Sequence, residues 1–287
     1  MQNDKINLSL IIPIGLMLFS FFFGAGNLIF PPVLGQMAGE NISWGMLGFC
    51  LSGVGFPLLG VLAMAMKQSD NPDSIAMPMH PLYARAVTIL CALAIGPLFA
   101  IPRTAAVSFD TGIHSLLPAS CEAIGLPVYT VFFFVLTYFF SINPSKIIGH
   151  IGKFLSPMLL ICLAVLVVCV FVNPTGSLKM PNPGFAASPF FRGFQEGYNT
   201  MDLLAAILFG SITIKAIEAQ GITDKKVLTK LCSYAGLIAA FFLAIIYAAL
   251  AYTGALSINV FGVIPNGATL LSKICTYYMG FGGQGGF

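Results

Sequence analysis

Charge is scarce in this sequence. Asp, Glu, Lys and Arg make up 8% of its 287 residues, against about a quarter in ordinary soluble domains. So few charges cannot cover a soluble fold of this length, which excludes a water-soluble globular protein. The net charge of +3 is spread through predicted loops rather than clustered, so nucleic acid is not an expected partner. The seven cysteines, at 50, 91, 121, 162, 169, 232 and 275, form no C-x-x-C pair and read as small core residues. His80, His114 and His150 have no partner at ligand spacing. No H-E-x-x-H, G-x-S-x-G or paired-aspartate signature falls in an apolar run, so an enzyme is not expected. Neither a ring-forming filter motif nor an array of pore-lining charges suggests a channel. No cofactor is expected.

Hydrocarbon fills the space that charge leaves. The chain is 57% hydrophobic with 26 phenylalanines, and its mean hydropathy is +0.92. The apolar stretches are long rather than alternating, which predicts an all-α integral membrane protein in a lipid bilayer. A window of about 20 residues places seven spans near 8–35, 43–66, 84–113, 125–142, 152–172, 197–218 and 231–255. Turn chemistry separates them, as in "SDNPDS" (69–74), "INPSK" (142–146) and "NPTGSLKMPNPG" (173–184). Lys5 and the small residues after the first apolar core imitate a signal peptide, but the apolar run continues past them.

Basic residues predict the orientation. With loops numbered alternately, one side holds Lys5, Lys67, Arg85, Lys146, Lys153, Lys215, Lys225, Lys226 and Lys230. The other holds Lys179, Arg192 and Lys273, and Arg103 lies within a span. The richer side is expected in the cytoplasm, together with the N-terminus.

Two spans are interrupted. In the first, "FFGAGNLIFPP" (22–32) places Gly24-Ala25-Gly26-Asn27 in the middle of an apolar helix. In the sixth, "GYNTMD" (197–202) brings glycine, polar side chains and an aspartate before the helix resumes as "LLAAILFG". Irregular backbone at membrane depth is tolerated only where it lines a cavity or is buried in protein. The sixth span enters from the face opposite the first, so the two interruptions fall at corresponding places of two inverted five-helix halves. That is the sequence signature of a secondary transporter site. Half-helix amides suit a carboxylate, and freed carbonyls suit an ammonium group or small cation.

Other polar residues carry open readings. Gly24-Ala25-Gly26 could instead let a neighbouring helix approach closely, and Asn27 could bridge two helices. Asp202, whose charge costs about 3 kcal/mol at mid-depth, is either a site residue or an outer-end cap. Arg103 and Asp110 lie seven apart on one helical face, which suggests an ion pair, structural or gating. Lys215 and Glu218 suggest an interfacial pair.

"FFGAGNLIFPP", "GPLFAIPRTAAVSF" (96–109) and "GYNTMDLLAAILFG" (197–210), in that order, closely resemble the bacterial branched-chain amino acid:cation symporters of the BrnQ type. That family is similar to the amino acid–polyamine–organocation superfamily, and the resemblance covers essentially the whole chain. It implies a five-plus-five inverted-repeat fold with broken first and sixth helices. It also implies import of leucine, isoleucine and valine across the plasma (inner) membrane, coupled to sodium or protons. By that likeness Gly24, Ala25 and Gly26 hold the substrate carboxylate, and Tyr198, Asn199, Thr200 and Asp202 complete the substrate contacts. Asn27, with Thr200, would contribute to a candidate sodium site beside the carboxylate, and the backbone carbonyls of Ser20 and Phe23 would form half of a second one. Residues 1–173 would be the first repeat, 174–196 an extracellular loop, and 197–287 the start of the second repeat. The family is longer, with typically twelve spans. The alternative reading is therefore a truncated, transport-incompetent fragment or remnant.

Overall fold

The computed structural model describes residues 8–113, 117–118, 122–142, 156–222 and 224–280. Among them every regular element is a helix. Helices α1 (Leu8–Phe22) and α2 (Ala25–Ala38) cover the expected first span and are separated at Phe23–Gly24. A 3₁₀ turn leads into α3 (Ile42–Cys50), which continues through a π-helical turn at Leu51–Gly55 into α4 (Phe56–Lys67). Helix α5 (Pro81–Leu93) reaches α6 (Ala100–Gly112) through a kink at Ala94–Leu98, where Gly96 leaves helical geometry just before Pro97. Then come α7 (Glu122–Ser141), α8 (Ser156–Val172), α9 (Pro183–Ala187) and α10 (Pro189–Tyr198). The series closes with α11 (Asp202–Glu218), α12 (Lys225–Phe261) and the short α13 (Gly267–Met279).

Among the described residues, 25–67, 81–112, 124–141 and 225–261 are long and apolar enough to cross a membrane, and α10 with α11, bent by 46°, makes a fifth such unit. Residues 10–22 and 157–172 form shorter apolar helices. This is a multi-pass helical membrane protein. The expected boundaries move at three places. The bent pair at the expected sixth span starts at Pro189, so its first helix, α10, lies mostly inside the stretch assigned to a loop, which also holds α9. A proline at each helix start explains why sequence pattern alone misplaces them: N1 tolerates the missing N–H. The last span is longer than expected, running from Lys225 to Phe261. Helix α2 passes through Pro31 and Pro32 to Ala38. Those prolines deny the carbonyls of Asn27 and Leu28 their usual i+4 amides. The "INPSK" turn beyond Ile142 and the start of the fifth span lie outside the described residues.

Lipid tails are as apolar as leucine, so close packing rather than hydrophobic exclusion joins such helices. The contacts are made through glycine. A Cβ on Gly35 of α2 would stand 1.8 Å from the Ala251 carbonyl oxygen of α12, and one on Gly254 of α12 would stand 2.0 Å from the Pro32 oxygen. Helices α3 and α10 approach as closely, with a Cβ on Gly193 falling 1.8 Å from the Gly45 oxygen. The core so formed buries Leu18, Phe19, Phe49, Met64, Ile214, Leu243 and Tyr247. Val128, Val131, Phe132 and Phe139 of α7 point outward. A smaller cluster seats Leu270 and Ile274 of α13 against Leu166, Val170 and Leu256.

Candidate functional site

Both helix breaks arise from local competition for backbone groups. At the first, Gly24 takes extended geometry (φ −113°, ψ −171°). Its N–H donates to the Asn27 side-chain oxygen at 3.0 Å, and the Asn27 N–H donates back to the Gly24 carbonyl at 3.1 Å. This reciprocal cap starts α2, whose first-turn amides at Ala25 and Gly26 have no i−4 carbonyl within the helix. At the second, Met201 adopts a left-handed conformation (φ 68°), which costs a non-glycine residue about 1 kcal/mol or more. The Thr200 hydroxyl turns back to the Gly197 carbonyl at 2.8 Å, and α11 restarts at Asp202.

The breaks meet. Asn27 Nδ2 donates to Asp202 Oδ2 at 2.7 Å across 175 residues of sequence. The same amide nitrogen donates to the Tyr247 hydroxyl of α12, which itself donates to Asp202 Oδ2 at 3.2 Å. Asn27 and Asp202 are 2% and 4% exposed and Tyr247 is fully buried, so the network is shielded from solvent. The Tyr247 ring packs edge-on to Phe49 and stacks with Phe23. A carboxylate stripped of water and given neutral donors on one oxygen retains a strong demand for a positive partner. Asp202 is the first residue of α11 and is buried within this network.

Arg103, near the start of α6, approaches the second break from the side. Its Nη1 donates to the Asn199 carbonyl at 2.9 Å and its Nη2 to the Thr200 carbonyl at 3.2 Å. Its guanidinium carbon lies 5.5 Å from the centre of the Phe30 ring. The expected Arg103–Asp110 ion pair does not form among the described residues: seven residues set the two about 10 Å apart along one helix, and Arg103 is held instead by the carbonyls of the second break. Lys215 likewise pairs with Asp70, at 3.7 Å, rather than with Glu218.

The remaining expected site residues divide. Gly24 has no close neighbour beyond its cap, whereas a Cβ on Gly26 would stand 2.7 Å from Arg103 Nη2. Gly26 therefore admits a side chain, not the backbone of another helix. The Thr200 hydroxyl lies beside the Asp202 N–H at 3.5 Å. Of the backbone carbonyls expected to meet the amine and cation, that of Tyr198 accepts from the Met201 N–H at 3.1 Å and that of Asn199 from Arg103, while the Tyr198 side chain is 49% exposed and the Asn199 amide donates to Glu196 Oε2 at 3.4 Å. The Ser20 hydroxyl donates to the Leu16 carbonyl at 2.7 Å, and the Phe23 ring belongs to the aromatic packing around Tyr247. The Asn27 side-chain oxygen is held by Gly24, so its amide nitrogen rather than its oxygen faces the network. The donors fit a hard cation only through the oxygens of Asp202, Thr200 and the break carbonyls. Among the described residues no three His, Cys, Asp or Glu side chains converge. A cavity of about 490 Å³ lies elsewhere, between α6 and α7, lined by Phe109, Ile113, Val128 and Phe132.

Sequence reading missed Tyr247 and misassigned Arg103. The signal for Tyr247 is a hydroxyl in the middle of the apolar run "AFFLAIIYAALAYTG", where an aromatic anchored at the membrane interface has no place.

Two interrupted helices joined by a buried amide–carboxylate–phenol network define a helical membrane protein organised around a central polar site. The chain matches the family described as "Branched-chain amino acid transport protein" over residues 7–285, and it belongs to that family, which is one of transporters and not of enzymes. It is 45% identical over 97% of its length to the branched-chain amino acid permease BrnQ of Bacillus subtilis (strain 168), covering 63% of that protein. It is 43% identical over 94% of its length to the permease BraB of the same organism, covering 60%. With the BrnQ permease of Escherichia coli (strain K12) it shares 38% identity over 96% of its length, covering 62%. The chain thus spans a little over three-fifths of the length of these relatives. No solved structure matches it.

Proposed function

We propose that this protein is a secondary symporter of the plasma (inner) membrane that imports leucine, isoleucine and valine. Sodium or protons drive it by alternating access, with the N-terminus in the cytoplasm and the five-plus-five inverted repeat as its frame. The observation that supports this most is the hydrogen bond between Asn27 and Asp202, which ties the break of the first span to that of the sixth. Such paired breaks are where transporters of this construction bind substrate. The permeases it resembles are named for branched-chain amino acids. No observation favours the transport-incompetent remnant.

In this reading the Ala25 and Gly26 amides receive the substrate carboxylate at the positive end of α2. Asp202 receives the ammonium group or the coupling cation, with Thr200 beside it, while Asn27 and Tyr247 hold the carboxylate in place. Backbone groups recognise any α-amino acid, so choice among side chains falls to an apolar wall. Leucine exceeds alanine by three carbons, which at ~0.8 kcal/mol each is roughly 2.4 kcal/mol, or some tens of fold. Leucine, isoleucine and valine differ too little to be separated this way, which suits a shared substrate class. Coupling follows if the cation organises the broken helices around the amino acid, so that each ligand favours the other.

The test is uptake of radiolabelled leucine into vesicles carrying protein expressed from its complete reading frame, with sodium and proton gradients imposed separately. Uptake that ignores both gradients sinks the symport reading. Asp202→Asn, which keeps the shape and removes the charge, should lower uptake about tenfold or more, since a charge-assisted contact contributes about 1.5–3 kcal/mol.

A further inference from the structure

The carbonyls of Asn199 and Thr200 stand at the C-terminal end of α10, where the helix dipole is negative and favours a cation. One is already there. The Arg103 guanidinium forks onto both oxygens at 2.9 and 3.2 Å, with the Phe30 ring against its face. Its seat is nevertheless imperfect. Within half-buried Arg103, the Nε atom is buried without a hydrogen-bond partner among the described residues, which costs free energy. Its Nη2 occupies the place beside Gly26 that a Cβ there would contest, 2.7 Å from it, in the first turn of α2, where the helix dipole is positive and disfavours a cation. The group is thus held by two carbonyls and a ring, and opposed by a stranded donor and an unfavourable dipole.

We infer that Arg103 is a resident cation. It occupies the carbonyl pair that a mobile monovalent cation uses during transport, and it must withdraw before that cation binds. The mobile cation is either the ammonium group of the amino acid or a sodium ion, which share an affinity for carbonyl oxygens. This rests on the symport reading and adds a competitor to it. While Arg103 is seated, the carbonyls are satisfied and the two breaks stay closed around Asp202, so the empty protein does not carry a stray cation across. Gly26 is the second component, because only a residue without a side chain lets the guanidinium reach its seat.

A ligand that requires a state populated in a fraction of molecules binds more weakly by that fraction. Arg103 seated in roughly nine molecules of ten therefore raises the apparent dissociation constant about tenfold. Arg103→Gln removes the competitor. Gly26→Ala retains it but displaces it. The measurements are direct leucine binding to the purified complete protein at saturating sodium, and sodium half-saturation at saturating leucine. A fall of about tenfold in the leucine constant in both variants assigns the seat to the ammonium group, and the same fall in the sodium constant assigns it to sodium. Either supports the proposal. Constants that are unchanged or raised overturn it. Collapse of both variants to aggregates on size exclusion also overturns it, because a group that must withdraw during transport cannot be an indispensable strut. Wild-type protein that neither binds nor takes up leucine would sink the symport reading. Wild-type binding with unmoved constants in the variants sinks this inference alone.

Discussion

Tyr247 makes the sharpest case at the scale of one residue. Its hydroxyl accepts from Asn27 and donates to Asp202, both buried. Tyr247→Phe preserves the ring contacts with Phe23 and Phe49 and removes only that hydroxyl. Two polar groups then each lose a partner where water does not replace it, at a cost of about 1–3 kcal/mol. The expected outcome is a lower melting temperature in detergent with the fold retained; an unchanged melting temperature would mean that the phenol contributes nothing to the network. Asn27 and Asp202 were legible in the sequence as polar intruders in apolar runs, because lipid tolerates such groups only with a purpose. Their mutual contact was not legible, since nothing local links positions 175 residues apart. Tyr247 was not legible, because a tyrosine differs from the neighbouring phenylalanines of its run by one oxygen. Arg103 was given to Asp110 because helical spacing considers only its own helix, whereas its partners are carbonyls at the end of another.

At the scale of elements, Gly24 at the first break should behave differently from Gly35 in the α2–α12 contact. Gly24 has φ −113°, open to any residue, and the nearest atom to an added Cβ is Asn27 Oδ1 at 3.6 Å. Gly24→Ala should alter stability by no more than about 0.5 kcal/mol. Gly35→Ala would drive a methyl into the Ala251 carbonyl of α12, separating two helices that hold the first span against the last one. The expected destabilisation is about 1–3 kcal/mol or more. Thermal unfolding of both variants in one detergent checks the contrast, and equal melting temperatures would contradict the role given to the glycine contact. The existence of both breaks was legible because each is written in residues that compete with helix formation. The extent of the sixth span was not. Its outer half, "PFFRGFQEGY", has polar residues on one face, and polarity at the end of a span imitates a loop until α3 is seen packed along the other face.

At the scale of the whole molecule, the charge asymmetry becomes a statement about orientation, and the packing gives it physical content. Basic residues far apart in sequence gather at one end of the bundle. Gln68, one residue past Lys67, donates to the Lys225 carbonyl at 3.3 Å, and Lys215 pairs with Asp70 nearby. The other end of the α3–α4 rod carries Lys179, whose carbonyl accepts from the Glu40 N–H at 3.0 Å. Residues assigned to opposite sides by counting therefore sit at opposite ends of one continuous helical rod, Ile42 to Lys67. Basic loops are retained in the cytoplasm during insertion, so the end bearing Lys67, Lys215 and Lys225 should face inward and the end bearing Lys179 outward. In a background with the native cysteines replaced, Gln220→Cys and Ser177→Cys report these two ends, both positions being exposed. An impermeant maleimide should label Ser177→Cys in intact cells and reach Gln220→Cys only after permeabilisation. The reverse pattern would invert the orientation. It would also place α10, whose Gly193 packs on Gly45 of α3 toward the Lys179 end, on the cytoplasmic side of Asp202.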